Sequence, residues 1–385
     1  MHPRARDNTS TSFVATFFDD YQRHLHERRW TWDDIPFYEG RGARQSIAPL
    51  HDLDYLDVYE RVYGRKMGCN GIGKLREVAL TRITEAENQV YDERYPYAAD
   101  PTFLEAHGLG RIPDIDLCRR QQEDYAAVLE GEGVRVHWID WGEAPMGAYG
   151  PLQATWAAQE LLVINGGAVV PKLGWHPFSF GRTEFLAHWA FWNLNIPTLL
   201  TISGKGAVAE AGATVWLAQD VYVVGLSAAY NRAGLDQLLD MVRLTAGVED
   251  LEVLTIRCQG RLYFDRTTGA SAHVTNLIAP LDAGKVLAYK PGIDTATLLW
   301  LERNGYEVVE PVFEEHVRND VCNLKILEPG RVVMAAEAKG TIARVRAAGV
   351  EVIEVPYSGF QHAGGGFHCT TMEIHREPGP LLADR

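Results

Sequence analysis

Four apolar runs in this chain break on a short polar turn and then resume. They are Leu161–Pro171 (LLVINGGAVVP), Val215–Ser227 (VWLAQDVYVVGLS), Leu277–Tyr289 (LIAPLDAGKVLAY) and Leu324–Ala335 (LKILEPGRVVMA). Such a pattern predicts a β-hairpin, most plainly at the Gly166-Gly167 turn of the first run. Each hairpin is followed by a stretch with helical spacing: EFLAHWAFWNLN, RAGLDQLLDMVRL, TATLLWLERNG and GTIARVRAAG. Each helix is followed in turn by a β-branched strand: PTLLTI, LEVLTIR, YEVVEP and VEVIEVP. The turns recur at spacings of about 53, 63 and 47 residues, as expected for one supersecondary unit per period. A looser first unit runs from Leu75–Ile83 through a helix near Gln121–Gly131 to Val134–Ile139.

Five ββαβ-like units fit either an open α/β sheet or a closed ring. Two features favour the ring. A plain βαβ chain does not need a hairpin in every unit, and no strand leads into GxGxxG or GxxxxGK[ST]. The expected fold is therefore α/β, a five-fold pseudosymmetric α/β propeller over residues 70–385. Residues 1–69 read differently. A capped helix is expected over Ser10–Arg29, followed by a polar, aromatic stretch with Trp30, Trp32, Phe37 and Tyr38. This extension is expected to cover the pocket mouth or to build a homodimer.

Composition narrows the function. The 385 residues are 46% hydrophobic and 23% charged, which is globular, and the net charge is −14. That acidic field disfavours binding to phosphate backbones. No apolar run approaches the ~20 residues of a membrane span. The N-terminal residues lack an apolar signal core, so a cytoplasmic protein with reduced thiols is expected. The five cysteines form no CxxC pair, so neither a zinc site nor a disulfide framework is expected.

The chemistry concentrates near the C-terminus, in Gly364-Gly365-Gly366-Phe367-His368-Cys369-Thr370-Thr371. Three glycines permit unusual backbone conformations and close approach of another group. A cysteine after such a loop can be held beside N–H donors that favour its thiolate, the nucleophilic form. Cys369 is thus the candidate nucleophile, whereas Cys69, Cys118, Cys258 and Cys322 read as structural. A thiol nucleophile needs a proton-transfer partner. His273, where a polar loop enters a strand in SAHVTNLIAPL, is the candidate among thirteen histidines, with His176, His362, His368 and His375 as rivals. A metal site at His362, His368, Cys369 and His375 is disfavoured, because their spacing fits no common zinc pattern. Glu210 lies among small residues in AVAEAGATVWL. If enclosed there, its carboxylate needs a partner; otherwise it is an exposed loop residue.

These segments together resemble the guanidino-group-modifying (pentein) superfamily, which includes arginine deiminases, dimethylarginine hydrolases and arginine amidinotransferases. GGGFHCTT is similar to the amidinotransferase form of the nucleophile loop, and NGIGKLREVALTRI to the deiminase form of the first strand. The resemblance covers roughly residues 70–376. It implies covalent catalysis at a guanidinium or amidine carbon, without metal or cofactor. By the resemblance Cys369 is the nucleophile, His273 the proton-transfer residue and Glu210 the acid that orients histidine and substrate. Asn323 matches a family asparagine at the start of the fourth hairpin, and is equally readable as a turn residue. Gly365, Gly366 and His368 belong to the nucleophile loop that lines the substrate.

The departures matter as much. Where the family has an Arg-Asp pair this chain has Ala158-Gln159, and the acid two residues after the histidine is Thr275. The Glu-Gly-Gly-Asp segment reads Glu210-Ala211-Gly212-Ala213, and an arginine that meets substrate carboxylates in deiminases is replaced by Ala229. A guanidinium is a delocalised cation best matched by carboxylates. Gln159 and Thr275 therefore imply a neutral or less basic substrate and not free arginine. The expected activity is a cysteine-dependent hydrolase acting on a non-peptide C–N bond of a small molecule. The alternatives are transfer of an amidino group to an amine, or a non-catalytic binding protein on the same fold.

Overall fold

The computed structural model describes residues 65–83, 114–139, 161–173, 182–260 and 264–384, with a few isolated positions elsewhere. Gln159 and the aromatic residues Trp30, Trp32, Phe37 and Tyr38 fall outside the described residues, as does nearly all of the predicted N-terminal helix.

Strand β1 (Leu75–Thr81), helix α1 (Ile115–Gly131) and strand β2 (Arg135–Ile139) form the first unit. The second is β3 (Leu162–Ile164), β4 (Gly167–Val170), α2 (Arg182–Asn193) and β5 (Thr198–Thr201). The third is β6 (Thr214–Ala218), β7 (Val221–Leu226), α3 (Arg232–Thr245) and β8 (Glu252–Arg257). The fourth is β9 (Ile278–Asp282), β10 (Lys285–Ala288), α4 (Thr295–Arg303) and β11 (Glu307–Val309). After the short helix α5 (Phe313–Asn319) comes the fifth: β12 (Lys325–Glu328), β13 (Arg331–Ala335), α6 (Lys339–Ala347) and β14 (Glu351–Val355). Helix α7 (Ser358–Ala363) and strand β15 (Thr371–Arg376) follow.

All four predicted hairpins are present. In each, the two hairpin strands pair antiparallel and the strand after the helix adds in parallel. Among the described residues the result is five three-stranded sheets. The first unit looked loose in sequence because its hairpin partner lies at the other end of the chain. β15 pairs antiparallel with β1, from Leu75 opposite Arg376 to Leu80 opposite Thr371. The C-terminal strand thereby takes the place that β3, β6, β9 and β12 take in their own sheets. These five strands line one axial cavity, so the sheets stand as the blades of a five-fold propeller.

Local chemistry explains the elements. Asn231 caps α3 by accepting from the Gly234 N–H at 3.0 Å, and Leu235, Leu238, Leu239 and Val242 form its buried face. Asp114 and Asp294 cap α1 and α4 in the same way. Strands β4 and β13 are apolar throughout or nearly so, since both faces are covered. On α2 the side chain of Trp192 is 71% exposed. α2 turns Leu186, Ala187, Ala190 and Phe191 inward instead, and 3.6-residue periodicity carries position 192 to the far side.

Candidate active site

Every described candidate sits at the same point of the repeat, just before the first strand of a sheet. Glu210 leads through the turn Ala211–Ala213 into β6. His273 leads through Val274–Asn276 into β9. Asn323 stands before β12 and Cys369 before β15. Because these strands line one axis, their leading turns converge at one end of it.

Glu210 and His273 are 0% and 1% exposed, and the His273 Nε2 lies 2.9 Å from the Glu210 Oε2. The enclosure expected from the small neighbours of Glu210 is present, and its partner is the histidine. In the neutral imidazole, an Nε2–H donating to the carboxylate leaves the lone pair on Nδ1. The two turns are tied together by Thr275, whose hydroxyl donates to the Gly212 carbonyl at 2.7 Å. Ser271 Oγ accepts from the His273 N–H at 2.9 Å and from the Asn276 amide at 3.1 Å, which sets the histidine turn.

Cys369 is 4% exposed and held at two points by one side chain. Asn323 Oδ1 accepts from the Cys369 backbone N–H at 3.1 Å, and Asn323 Nδ2 donates to Sγ at 2.8 Å. The Cys369 N–H is thus committed to Asn323, and the asparagine amide stands against the sulfur. Asn323 Nδ2 also lies 2.9 Å from Asn276 Oδ1 and 3.2 Å from Asp320 Oδ2. Asn276 belongs to the histidine turn, so Asn323 joins the two halves of the site. Burial pushes the Asp320 carboxyl up to about 8, against the opposing pull of the Asn323 amide and of Arg266. Neither Asn276 nor Asp320 was singled out from sequence. Their only signal was proximity in sequence to His273 and Asn323.

The glycines divide their labour. Gly364 ends α7 at φ 118°, a left-handed cap. Gly365 donates its N–H to the Phe360 carbonyl. An added Cβ at Gly366 would stand 2.7 Å from the Asn323 carbonyl oxygen, so this glycine permits the close approach of the clamp. Behind the loop, Phe367 stacks on Tyr357 at 4.1 Å, and the hydroxyls of Thr370 and Thr371 meet Tyr357 and Tyr125 at 2.7 and 3.0 Å. His368 turns into the axial cavity. Burial drops it to about 3, so it is neutral near pH 7, and its Nδ1 has no hydrogen-bond partner among the described residues.

Below the site, Lys325, Glu373 and Arg376 form an ionic triad on β12 and β15. Ala229, at the position of the family's arginine, is fully buried and its carbonyl accepts from the Glu210 N–H at 3.1 Å. Among the described residues no three His, Cys, Asp or Glu side chains come together as a metal site. Nor is any described helix long and apolar enough to cross a membrane.

The chain is similar to known proteins over most of its length. The arginine deiminase family model matches residues 300–376. The chain is 37% identical over 367 residues to the 2-nitroimidazole nitrohydrolase of Mycobacterium sp. (strain JS330), covering 92% of this chain and 94% of that protein. It is 22% identical over 302 residues to the L-arginine:L-lysine amidinotransferase of Pseudomonas savastanoi pv. phaseolicola, covering 68% and 79%. Among solved structures, the inosamine-phosphate amidinotransferase of Streptomyces griseus superposes with a TM-score of 0.60 at 17% identity, covering 83% of this chain and 100% of that one. With a relative of this identity along nearly the whole chain, and with a propeller closed by its own C-terminal strand, the protein belongs to the guanidino-group-modifying (pentein) superfamily and is an enzyme acting on C–N bonds of amidine or guanidine type.

Proposed function

We propose that this enzyme is a cysteine-dependent hydrolase that releases nitrite from a neutral nitro-substituted amidine carbon, as in a 2-nitroimidazole. The observation that carries the reading is Thr275. A family acid that grips cations is here a hydroxyl, and that hydroxyl is committed to the Gly212 carbonyl. Loss of a charge-assisted bond of roughly 1.5–3 kcal/mol disfavours guanidinium and leaves a neutral ring at less disadvantage. Carbon 2 of an imidazole, flanked by two nitrogens, is an amidine carbon, and the 37% identical relative is named for hydrolysis of that nitro compound.

The chemistry follows from the residues. Cys369 Sγ adds to the carbon, the C–N bond to the nitro group breaks, and nitrite leaves with the electron pair. Nitrite is a stable anion, so this half needs no proton donor. His273, held by Glu210, then takes a proton from water as the oxygen adds to the same carbon. The C–S bond breaks and the thiolate returns. The sum is nitro compound plus water giving hydroxy compound, nitrite and a proton.

Amidino transfer is the second reading, favoured by the GGGFHC loop and by likeness to an amidinotransferase. One experiment separates them. The purified enzyme and Cys369→Ala are given 2-nitroimidazole, or arginine with lysine. Nitrite formed by wild type alone supports the proposal. Homoarginine formed from the amino acids, without nitrite from the nitro compound, sinks it.

A further inference from the structure

The amide of Asn323 has two hydrogens and three acceptors. Sγ of Cys369 lies at 2.8 Å, Asn276 Oδ1 at 2.9 Å and Asp320 Oδ2 at 3.2 Å. All three of Asn276, Asp320 and Asn323 are buried. The amide therefore cannot serve every acceptor at once, and which ones it serves depends on their charge. From this geometry we infer that Asn323, with Asn276 and Asp320 behind it, forms a positioning set for the nucleophile. In this set a neutral Asp320 leaves the amide to the Cys369 thiolate, and an ionised Asp320 competes for it.

This rests on Cys369 being the nucleophile of the reaction proposed above. The two shorter contacts run to the sulfur and to Asn276, and the longest to the carboxyl, as expected if Asp320 is the weakest acceptor in the resting site. Asn276 orients the amide, because its own side chain is fixed by donating to Ser271 Oγ. Asn323 Oδ1 is occupied by the Cys369 N–H, so the amide cannot flip without losing that bond.

Among the described residues, Arg266 and Cys322 are charged or titratable groups that act on or respond to Asp320. Arg266 comes from the segment before His273, and its guanidinium donates to the Arg318 and Gln361 carbonyls. Cys322, from the same turn as Asn323, is itself pushed up by burial and by Asp320. Cys369 faces Asp320 through the shared amide. Burial raises the Asp320 carboxyl to about 8, so it is mostly protonated at neutral pH. Two hydrogen bonds through one nitrogen keep the sulfur and the carboxyl within about 6 Å, close enough for each anion to raise the other's proton affinity by on the order of one to two pH units. The titrations of Cys369 and Asp320 are then coupled.

The test reads the thiol directly and needs no substrate. The rate of iodoacetamide alkylation at Cys369 is followed by peptide mass spectrometry from pH 5.5 to about 10. Wild type is expected to give a broad titration. Asp320→Asn should sharpen it to a single site with a lower midpoint. Asn adopts the left-handed conformation of position 320 (φ 50°) readily, so this variant keeps the backbone. Asn323→Ala should move the midpoint up by about one to two units, the loss of a bond to a charged acceptor. Asn323→Ser, smaller but still polar, is the companion should the alanine variant fail to fold. Nitrite release is measured in parallel, and Asp320→Asn should flatten the alkaline limb of kcat/KM. Unchanged midpoint and slope in the Asp320 and Asn323 variants would overturn the inference. Absence of nitrite release in wild type would sink only the proposed reaction, since the thiol titration remains readable.

Discussion

Strands β12 and β15 carry two largely buried polar arrangements within a few residues of each other, and the two are built on opposite principles. At the head of the strands, Asn323 and Cys369 meet through an amide with more acceptors than hydrogens. Farther along, Lys325, Glu373 and Arg376 saturate one another. Glu373 accepts from Arg376 Nε and Nη2 at 2.6 Å each and from Lys325 Nζ at 3.0 Å, and Arg376 also donates to the Gly73 and Ile326 carbonyls. Burial alone would raise the Glu373 carboxyl, but Arg376 and Lys325 hold it well below the usual carboxylate range. A saturated ionic group has one stable state and fixes the strands. An amide with a choice of acceptors responds to charge. The site thus places its adjustable part on top of its rigid part.

The comparison breaks most visibly at the histidine. His273→Ala should retain the first half-reaction at alkaline pH, where the thiolate forms without help, and lose the second. The expected result is a single stoichiometric burst of nitrite, an adduct on Cys369 by mass spectrometry, and steady turnover lower by about 10²–10⁴-fold. Steady turnover at the wild-type rate would remove His273 from the mechanism.

The rigid part should fail in stability and not in chemistry. Glu373→Gln leaves Lys325 and Arg376 without their shared anion, and breaking such a buried set costs about 3–5 kcal/mol. The sign in pH follows from the lowered carboxyl. Its contribution is present above the ordinary glutamate value of 4.5 and is lost as pH falls towards the folded value. Urea unfolding should therefore show a lower midpoint for Glu373→Gln at pH 7, and a shallower decline for it than for wild type below pH 4.5. Equal midpoints at pH 7 would mean that the triad is ornamental.

The smallest effect is expected behind the Cys369 loop. Tyr357→Phe removes the bond to Thr370 but keeps the ring stack on Phe367, for a loss of about 1 kcal/mol and a small drop in kcat at unchanged KM. A change in KM alone would place Tyr357 in substrate binding instead.

Much of this was legible in the residues. Hairpins at Val215–Ser227 and Leu277–Tyr289 could be read because both strands and the turn are contiguous, so local pattern and final pairing coincide. Cys369 could be singled out by its glycine loop, His273 by its place where a polar loop enters a strand, and Glu210 by its small neighbours. The first sheet could not be completed, because its third strand is some 290 residues away from β1 and the sequence carries no sign of that pairing. Lys325 and Arg376 are buried around Glu373 only because two separate sheets bring β12 and β15 to the same axial cavity.

By itself the sequence determined the repeat, the alternation of hairpin, helix and strand, and the residue types at the head of each unit, since all of these depend on neighbours along the chain. Tertiary structure alone decided that the C-terminal strand closes the ring. That closure brings Cys369 to Asn323, joins Asn323 to the histidine turn through Asn276, and leaves the carboxyl of Asp320 buried beside them. The reason is physical. Burial and the count of donors against acceptors are properties of an enclosed volume, and no single stretch of chain encloses one.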